Sequence, residues 1–212
     1  MTEETLADIA RLRAIAEEGR RMPLLGGRYM ILWGSAVAIA SLLHGALVAR
    51  LPPLPMITAA FIWFGLTGAA ALASRSPRMT SHMQGQGNDV GNRVERGVWQ
   101  MGGALMWLTS LGILGAAYWH LHLTGKPDLF GLFVMMPPLM FGVYAIALRV
   151  AADVATVPQL RPYALMSLAF VPLTVLLAGS AWQFGVMTIG VLLVSILPGR
   201  MMIALEGGQG NG

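Results

Sequence analysis

Four apolar stretches of roughly twenty residues, each nearly free of charge, constrain this chain more than any other feature of its sequence. They are Tyr29–Ala49, Leu54–Ser74, Val98–Trp119 and Leu129–Leu148. A helix needs about 20 mostly apolar residues to cross the hydrocarbon core of a bilayer, so each stretch predicts one membrane span. A further apolar block, 162–198, is too long for one span and long enough for two helices joined by a turn at 179–181. The sequence therefore predicts an all-α polytopic membrane protein with six transmembrane helices in three hairpins.

The composition agrees with a membrane protein. Of the residues, 56% are hydrophobic and only 11% are charged, whereas soluble domains average about 25% charged residues. The absence of cysteine excludes disulfides, zinc ribbons and cysteine nucleophiles. Basic residues give a net charge of +4, but they flank the apolar stretches, form no patch and accompany no nucleic-acid-binding motif. We therefore expect the lipid bilayer as a partner and no nucleic acid.

The positions of the basic residues predict the orientation of the spans, because short cytoplasmic loops collect Lys and Arg. On the six-span arrangement Arg50 and Lys126 fall on one side of the membrane, which leaves 14 minus 2, or 12, basic residues on the other. Those residues are Arg11, Arg13, Arg20, Arg21, Arg28, Arg75, Arg78, Arg93, Arg96, Arg149, Arg161 and Arg200. The larger group predicts that both termini are cytoplasmic. Lys126 is the single lysine, and this preference for Arg suggests a GC-rich bacterium and its inner membrane.

Three segments lie outside the predicted spans. The segments 75–97 and 204–212 are rich in Gly, Asn and Gln and have almost nothing to bury, which is typical of disorder. The predicted organisation is a cytoplasmic N-terminal helix (1–25), a hairpin of two spans (26–74), a flexible cytoplasmic linker (75–97), a bundle of four spans (98–203) and a disordered tail (204–212).

The N-terminal helix carries the first functional hypothesis. Its apolar stripe is narrow, which suits packing on another helix better than insertion into lipid, and Ile9 and Leu12 are its main contact points. Charged residues at i, i+4 spacing, Arg13, Glu17 and Arg21, would set the orientation of a partner. We expect a non-enzymatic accessory or regulatory membrane subunit that docks a protein partner at the cytoplasmic face through this helix.

Prolines within the predicted spans favour a second hypothesis. Pro137 and Pro138 should kink span four near its middle, and Pro172 should kink span five. Backbone carbonyls freed by such prolines can line a polar cavity, as in transporters with broken helices. The alternative function is therefore a small carrier or channel that uses the kinked spans, although prolines also bend helices simply for packing.

Three histidines favour a third hypothesis. With a cytoplasmic N-terminus, His44, His120 and His122 lie at a similar depth near the outer ends of spans one and three. Imidazole can ligate copper, zinc or haem iron, so these residues would form a metal or haem site in the outer leaflet. They can equally belong to an interfacial belt with Tyr118 and Trp119, whose amphipathic rings settle at the headgroups. Apart from this site, no cofactor is expected.

Catalytic residues are not evident. No span carries an Asp, Glu, Lys or Arg in its central part, and coupled transporters and intramembrane aspartyl proteases normally need one. No candidate nucleophile is paired with a base, so we expect no enzyme activity. Small residues do recur at four-residue spacing, which allows close helix contact inside a compact bundle or between copies in a homo-oligomer. The pairs are Gly34 with Ala38, Ser41 with Gly45, Gly65 with Ala69, and Gly112 with Ala116.

Overall fold

The computed structural model describes residues 26–51, 53–80, 90–154 and 157–209, together with Thr5 and Asp8, and within these ranges it contains helices and no strand. The α-helices are α1 (Gly27–Val48), α2 (Ile57–Ala73), α3 (Pro77–Thr80), α4 (Val90–Thr124), α5 (Met136–Val154), α6 (Arg161–Leu176), α7 (Ala181–Val191) and α8 (Leu197–Gln209). Two 3-10 helices, Asp128–Met135 and Pro158–Leu160, precede α5 and α6, and a π-helical turn, Leu192–Ile196, joins α7 to α8. The all-α class predicted from the sequence is confirmed.

Five of the described helical segments are long and apolar enough to cross a membrane. They are Gly27–Val48, Arg93–Thr124, Asp128–Val154, Pro158–Leu176 and Ala181–Leu205. The remaining predicted span corresponds to α2, which is apolar but has only 17 residues. At 1.5 Å per residue this helix is about 26 Å long, slightly less than a hydrocarbon core of roughly 30 Å. The fold is consistent with a multi-pass membrane protein.

Residues in the left-handed region of backbone conformation mark three of the turns. Arg50, with φ 55°, follows α1, and the amide of the next residue, Leu51, donates to the carbonyl of Ala46 at 3.0 Å. Gly125 (φ 70°) follows α4, and Gly179 (φ 79°) separates α6 from α7. Glycine adopts this conformation without the steric cost that a Cβ imposes on Arg50. The turn predicted within the block 162–198 is therefore present at its expected position.

The core of the bundle lies between α1, α5, α6 and the α7–α8 segment. On α5 and α6 the rings of Phe141 and Phe170 stack with centroids 5.0 Å apart, and the hydroxyl of Ser167 donates to the carbonyl of Phe141 at 2.8 Å. Helices α1 and α8 approach so closely that a Cβ on Gly27 would lie 2.6 Å from the carbonyl oxygen of Gly199. Small residues and interhelical hydrogen bonds thus hold these helices together, as is typical of packing in lipid.

Helices α2 and α4 lie at the periphery. In the most apolar window of Arg93–Thr124 only 6% of the residues are buried, against 50% in Ala181–Leu205. Helix α4 packs on α5, where Gly102 faces the side chain of Val143. Helix α2 packs on α1, and the side chains of Tyr29 and Trp33 donate to the carbonyl and hydroxyl of Ser74 at 3.2 and 3.1 Å. The outward faces of both helices are apolar and exposed, as expected of surfaces that contact lipid.

Two segments predicted without regular structure are partly helical. Within the predicted linker 75–97, α3 is helical and α4 already begins at Val90; residues 81–89 lie outside the described residues. The predicted tail 204–212 is helical as far as Gln209. In both places an existing helix is extended, which costs little because propagation adds one hydrogen bond for each residue fixed. The N-terminal helix predicted over 1–25 lies outside the described residues, except for Thr5 and Asp8.

Candidate functional site

The helix order places the basic residues and histidines of the described ranges at two ends of the bundle. We call the end at which α1 and α4 begin the basic end; its described arginines are Arg28, Arg75, Arg93, Arg96, Arg149, Arg161 and Arg200. We call the opposite end the histidine end; it carries His44, Arg50, His120, His122 and Lys126. The basic residues of the described ranges are thus divided between the two ends as the sequence pattern predicts.

Gln183, in the first turn of α7, connects three segments inside the bundle. Its side chain is 0% exposed, and its amide nitrogen donates to the carbonyls of Val134 at 2.7 Å and Thr174 at 3.1 Å. Its oxygen accepts from the amide of Gly179 at 3.1 Å. The carbonyl of Thr174 lies at the end of α6, and that of Val134 lacks its helical donor because Pro138 has no amide hydrogen. One side chain therefore satisfies polar backbone groups that would otherwise be costly to bury.

Span four, in which Pro137 and Pro138 predict a kink, changes from a 3-10 helix to an α-helix at these prolines. Pro137 and Pro138 occupy the first turn of α5, after the 3-10 helix, where a missing amide hydrogen costs little. Both side chains are buried, and the carbonyl that Pro138 frees is bonded to Gln183. Pro172 lies inside α6, as predicted, but its side chain is exposed on the outer surface. The structure does not bring these three prolines together around a cavity.

A second polar connection crosses the half of the bundle nearer the basic end. Ser195, in the π-helical turn, is fully buried; its hydroxyl donates to the carbonyl of Met30 in α1 at 2.8 Å and accepts from the hydroxyl of Tyr144 in α5 at 3.3 Å. Gly34 leaves space for it, since a Cβ there would lie 2.7 Å from the Ser195 hydroxyl. Trp99 of α4 packs edge-on against Tyr144, with ring centroids 4.9 Å apart. The Ser195 hydroxyl therefore joins α1, α5 and the π-helical turn, and α4 is connected to this group through the ring of Tyr144.

Buried polar groups also gather where α1 begins at the basic end. Glu95 of α4 is only 4% exposed, and its carboxylate occupies the place that a Cβ on Gly26 would take. A carboxylate is buried only where hydrogen bonds or opposite charges compensate for lost hydration. Among the described residues, Nε of Arg28 and Nε1 of Trp99 are buried without a hydrogen-bond partner. We call Gly26, Arg28, Glu95 and Trp99 the junction cluster, because the N-terminal segment joins the bundle there.

The three histidines are not brought together as a metal site. Nδ1 of His44 accepts from the indole of Trp63 at 3.0 Å, and its ring packs on Phe184 with centroids 4.0 Å apart. His120 is half-buried and His122 is exposed near the end of α4. In the part of the chain that the structure describes, no group of three or more His, Asp or Glu residues could hold a metal ion. The geometry agrees better with an interfacial belt, since Tyr118 and Trp119 are exposed at the same end.

The four pairs of small residues divide equally between the interior and the surface. Gly34 and Gly45 on α1 face Ser195 and Phe184, whereas a Cβ on Gly65 or Gly112 would meet no atom within 4 Å. The partners Ala69 and Ala116 are exposed as well. Half of the pattern therefore serves packing within the bundle. The residues predicted to bind a partner, Ile9, Leu12, Arg13, Glu17 and Arg21, lie outside the described residues.

The residues most deeply involved in these contacts were not singled out from the sequence. Gln183 carried a usable signal, because it is the one amide side chain between Pro162 and Pro198, and a polar group in such a block needs internal partners. Glu95 carried no such signal, because it lies among charged residues in a segment that resembles a solvated linker.

At these positions the described side chains form hydrogen bonds between helical segments. Ser195 accepts from Tyr144 and donates to a backbone carbonyl. Gln183 has no titratable partner among its hydrogen bonds. Comparison of the chain with protein-family models, with curated proteins and with solved structures yields no match.

Proposed function

We propose that the protein is a non-enzymatic accessory or regulatory membrane subunit that docks a protein partner through its N-terminal segment. One observation carries the proposal: some buried polar groups of the described residues are hydrogen-bonded to neighbouring helices, whereas others at the basic end are not. Gln183 and Ser195 form hydrogen bonds with neighbouring helical segments. In the junction cluster, by contrast, Arg28 and Trp99 keep buried nitrogen atoms without partners among the described residues. Arg28 lies two residues from Gly26, and Trp99 lies one helical turn from Glu95, which contacts Gly26, so these groups are close to the point at which residues 1–25 join the bundle.

The proposed location is the inner membrane of a bacterium, with both termini in the cytoplasm. Support comes from the basic end, because arginines collect on the cytoplasmic side of short loops. At that end Asp153 binds both Arg149 at 2.7 Å and Arg161 at 3.1 Å, and all three side chains remain exposed. Two arginines and one aspartate leave a net positive charge at the basic end.

Orientation can be tested on the full chain, because it contains no cysteine. Thr80→Cys and Lys126→Cys introduce single thiols at the basic and histidine ends. In intact cells, a membrane-impermeant maleimide should label the variant at position 126 and should label the variant at position 80 only after the membrane is opened. The reverse pattern would place the N-terminal segment outside the cell and remove the basis for a cytoplasmic partner.

Docking is assigned to the apolar stripe of the predicted N-terminal helix. Ile9 and Leu12 would make the contact, and Arg13, Glu17 and Arg21 would orient the partner through charge pairs. Helices of about 20 residues are marginal alone in water, so such a helix gains order by packing on protein. A carrier function or a metal site has less support, because the prolines and the histidines are not assembled into a cavity or a ligand set.

The proposal is tested by comparing full-length protein with a variant that lacks residues 1–21 and with Ile9→Asp. Both proteins should accumulate in the membrane, but a partner recovered in stoichiometric amount with the wild type, after mild detergent extraction and cross-linking, should be lost. Ala14→Asp is the matched control, because position 14 lies on the opposite face of a helix through Ile9 and adds the same charge.

Two results would contradict the proposal. Loss of the partner in both Ile9→Asp and Ala14→Asp would show that charge, and not the apolar stripe, is responsible. Failure of the truncated protein to accumulate in the membrane would make the N-terminal segment a brace of the bundle instead of a docking element.

A further inference from the structure

An apolar cleft lies at the histidine end, far from the junction cluster. It has a volume of about 300 Å³ and is formed by the last turns of α1, the residues that follow it and the start of α7. Its lining includes Leu42, Ala46, Leu51 and Trp182. The hydroxyl of Ser41, which also borders the cleft, is directed to the carbonyl of Val37 at 2.7 Å. The cleft therefore offers almost purely apolar surface, and its size is at the lower end for ligand pockets.

A basic residue, Arg50, adjoins the lining of this cleft in the chain. Arg50 lies in the chain between Ala49 and Leu51, which both line the cleft. Its side chain is exposed and forms no ion pair within the described ranges. Among the described residues, Arg50 and Lys126 are the arginine and the lysine of the histidine end. The exposed ring of Trp182, 76% accessible, adds an amphipathic side chain at the same place.

The backbone conformation of Arg50 is one that glycine usually adopts. Arg50 has φ 55° and occupies the position after α1 at which helices usually carry glycine, because a Cβ is unfavourable in the left-handed region. Leu51 donates to Ala46 across it, which is the hydrogen bond expected of that glycine motif. An arginine that is held in this conformation is disfavoured locally, which makes its side chain a candidate for a functional role.

We propose that the cleft binds one acyl chain of a phospholipid whose phosphate is bound by Arg50. The apolar lining matches the acyl chain, and the guanidinium matches a phosphate group with paired hydrogen bonds. Trp182 covers the chain near the ester region, where indole rings settle in bilayers. A bound lipid would also contact both α1 and α7, whose residues line the cleft. The site thus differs in place and chemistry from the proposed partner-docking segment.

Native mass spectrometry of the full-length protein in detergent tests the site, with phosphatidylglycerol as the added lipid. The wild type should bind one molecule more tightly than any further ones. Arg50→Gly should weaken this first binding by about tenfold, which is the size of a charge-assisted phosphate contact, while raising the melting temperature because glycine suits the left-handed position. Ala46→Phe should fill the cleft and weaken binding similarly. Lys126→Gln, which removes the other basic charge of this end, should leave binding unchanged.

Three results would overturn the proposal. They are unchanged affinity in Arg50→Gly, unchanged affinity in Ala46→Phe, or an equal loss in Lys126→Gln, which would mean that lipid is attracted by diffuse charge only. If Arg50→Gly fails to fold, Arg50→Asn replaces it, because asparagine tolerates the left-handed region better than most residues.

Discussion

Helices α1 and α4 are both long and apolar and both carry glycines, yet they occupy different environments. Glycines of α1 lie against other helices: Gly27 faces Gly199, Gly34 faces Ser195 and Gly45 faces Phe184. On α4, a Cβ on Gly112 would meet no atom within 4 Å. The comparison teaches that small residues at four-residue spacing allow close helix contact but do not determine whether a neighbouring helix is present.

The largest expected difference between the two helices is at Gly27. Gly27→Val should lower the free energy of unfolding by about 3 kcal/mol, because the new side chain meets a backbone oxygen of Gly199 that cannot move independently. Gly112→Val on α4 is the matched control and should change it by less than about 0.5 kcal/mol. Unfolding in mixed micelles, followed by circular dichroism, measures both. Equal losses would show that α4 is packed as tightly as α1.

A second test compares one amide in the interior with one on α4. Gln183→Leu removes the donors to Val134 and Thr174, and leaving these carbonyls unpaired should cost about 2 kcal/mol of unfolding free energy. Gln100→Leu makes the same change at an exposed position of α4 and should cost less than about 0.5 kcal/mol. If Gln183→Leu were neutral in the same unfolding assay, the carbonyls would have other donors.

Serine residues allow a finer comparison. Ser195→Ala breaks bonds to Met30 and Tyr144, which join separate helices, and should lower the unfolding free energy by about 1 kcal/mol. Ser110→Ala on α4 removes only a bond to the carbonyl of Met106 in the same helix, so its effect should be a few tenths of a kcal/mol. A double-mutant cycle with Tyr144→Phe should show coupling to Ser195; strict additivity would mean that the 3.3 Å contact contributes nothing.

The smallest expected effect has the opposite sign. Gly112→Ala should raise the unfolding free energy by about 0.5–1 kcal/mol, because alanine favours the helix and the surrounding space is open. Gly34→Ala should lower it, since the methyl group would crowd Ser195. Light scattering of the Gly112→Ala protein tests the alternative that this position contacts a second copy of the chain. A change of oligomeric state would show that this face of α4 is covered by a second copy.

Much of the fold was predictable because apolar length and turn-forming residues act locally. The stretch Tyr29–Ala49 differs from α1 by no more than two residues at either end, and the turn near Gly179 separates the last two long helices. The extra helix in 90–97 was not predicted, because its polar composition resembles a linker. The change of helix type at Pro137 and Pro138 was not predicted, since composition does not reveal where a 3-10 segment gives way to an α-helix.

The apolar runs alone set the helical class and the apolar character of the long helices, since continuous apolar runs of about 20 residues have the length of a helical span, and a helix satisfies its backbone hydrogen bonds internally. The positions of the basic residues predict which helix ends lie on the same side, because each long helix runs from one end of the bundle to the other. Tertiary structure alone decided which helices are central, which carbonyls Gln183 satisfies and that Glu95 is buried. These outcomes depend on which faces meet across the bundle, and residues far apart in sequence determine those contacts jointly, as Met30 and Ser195 do.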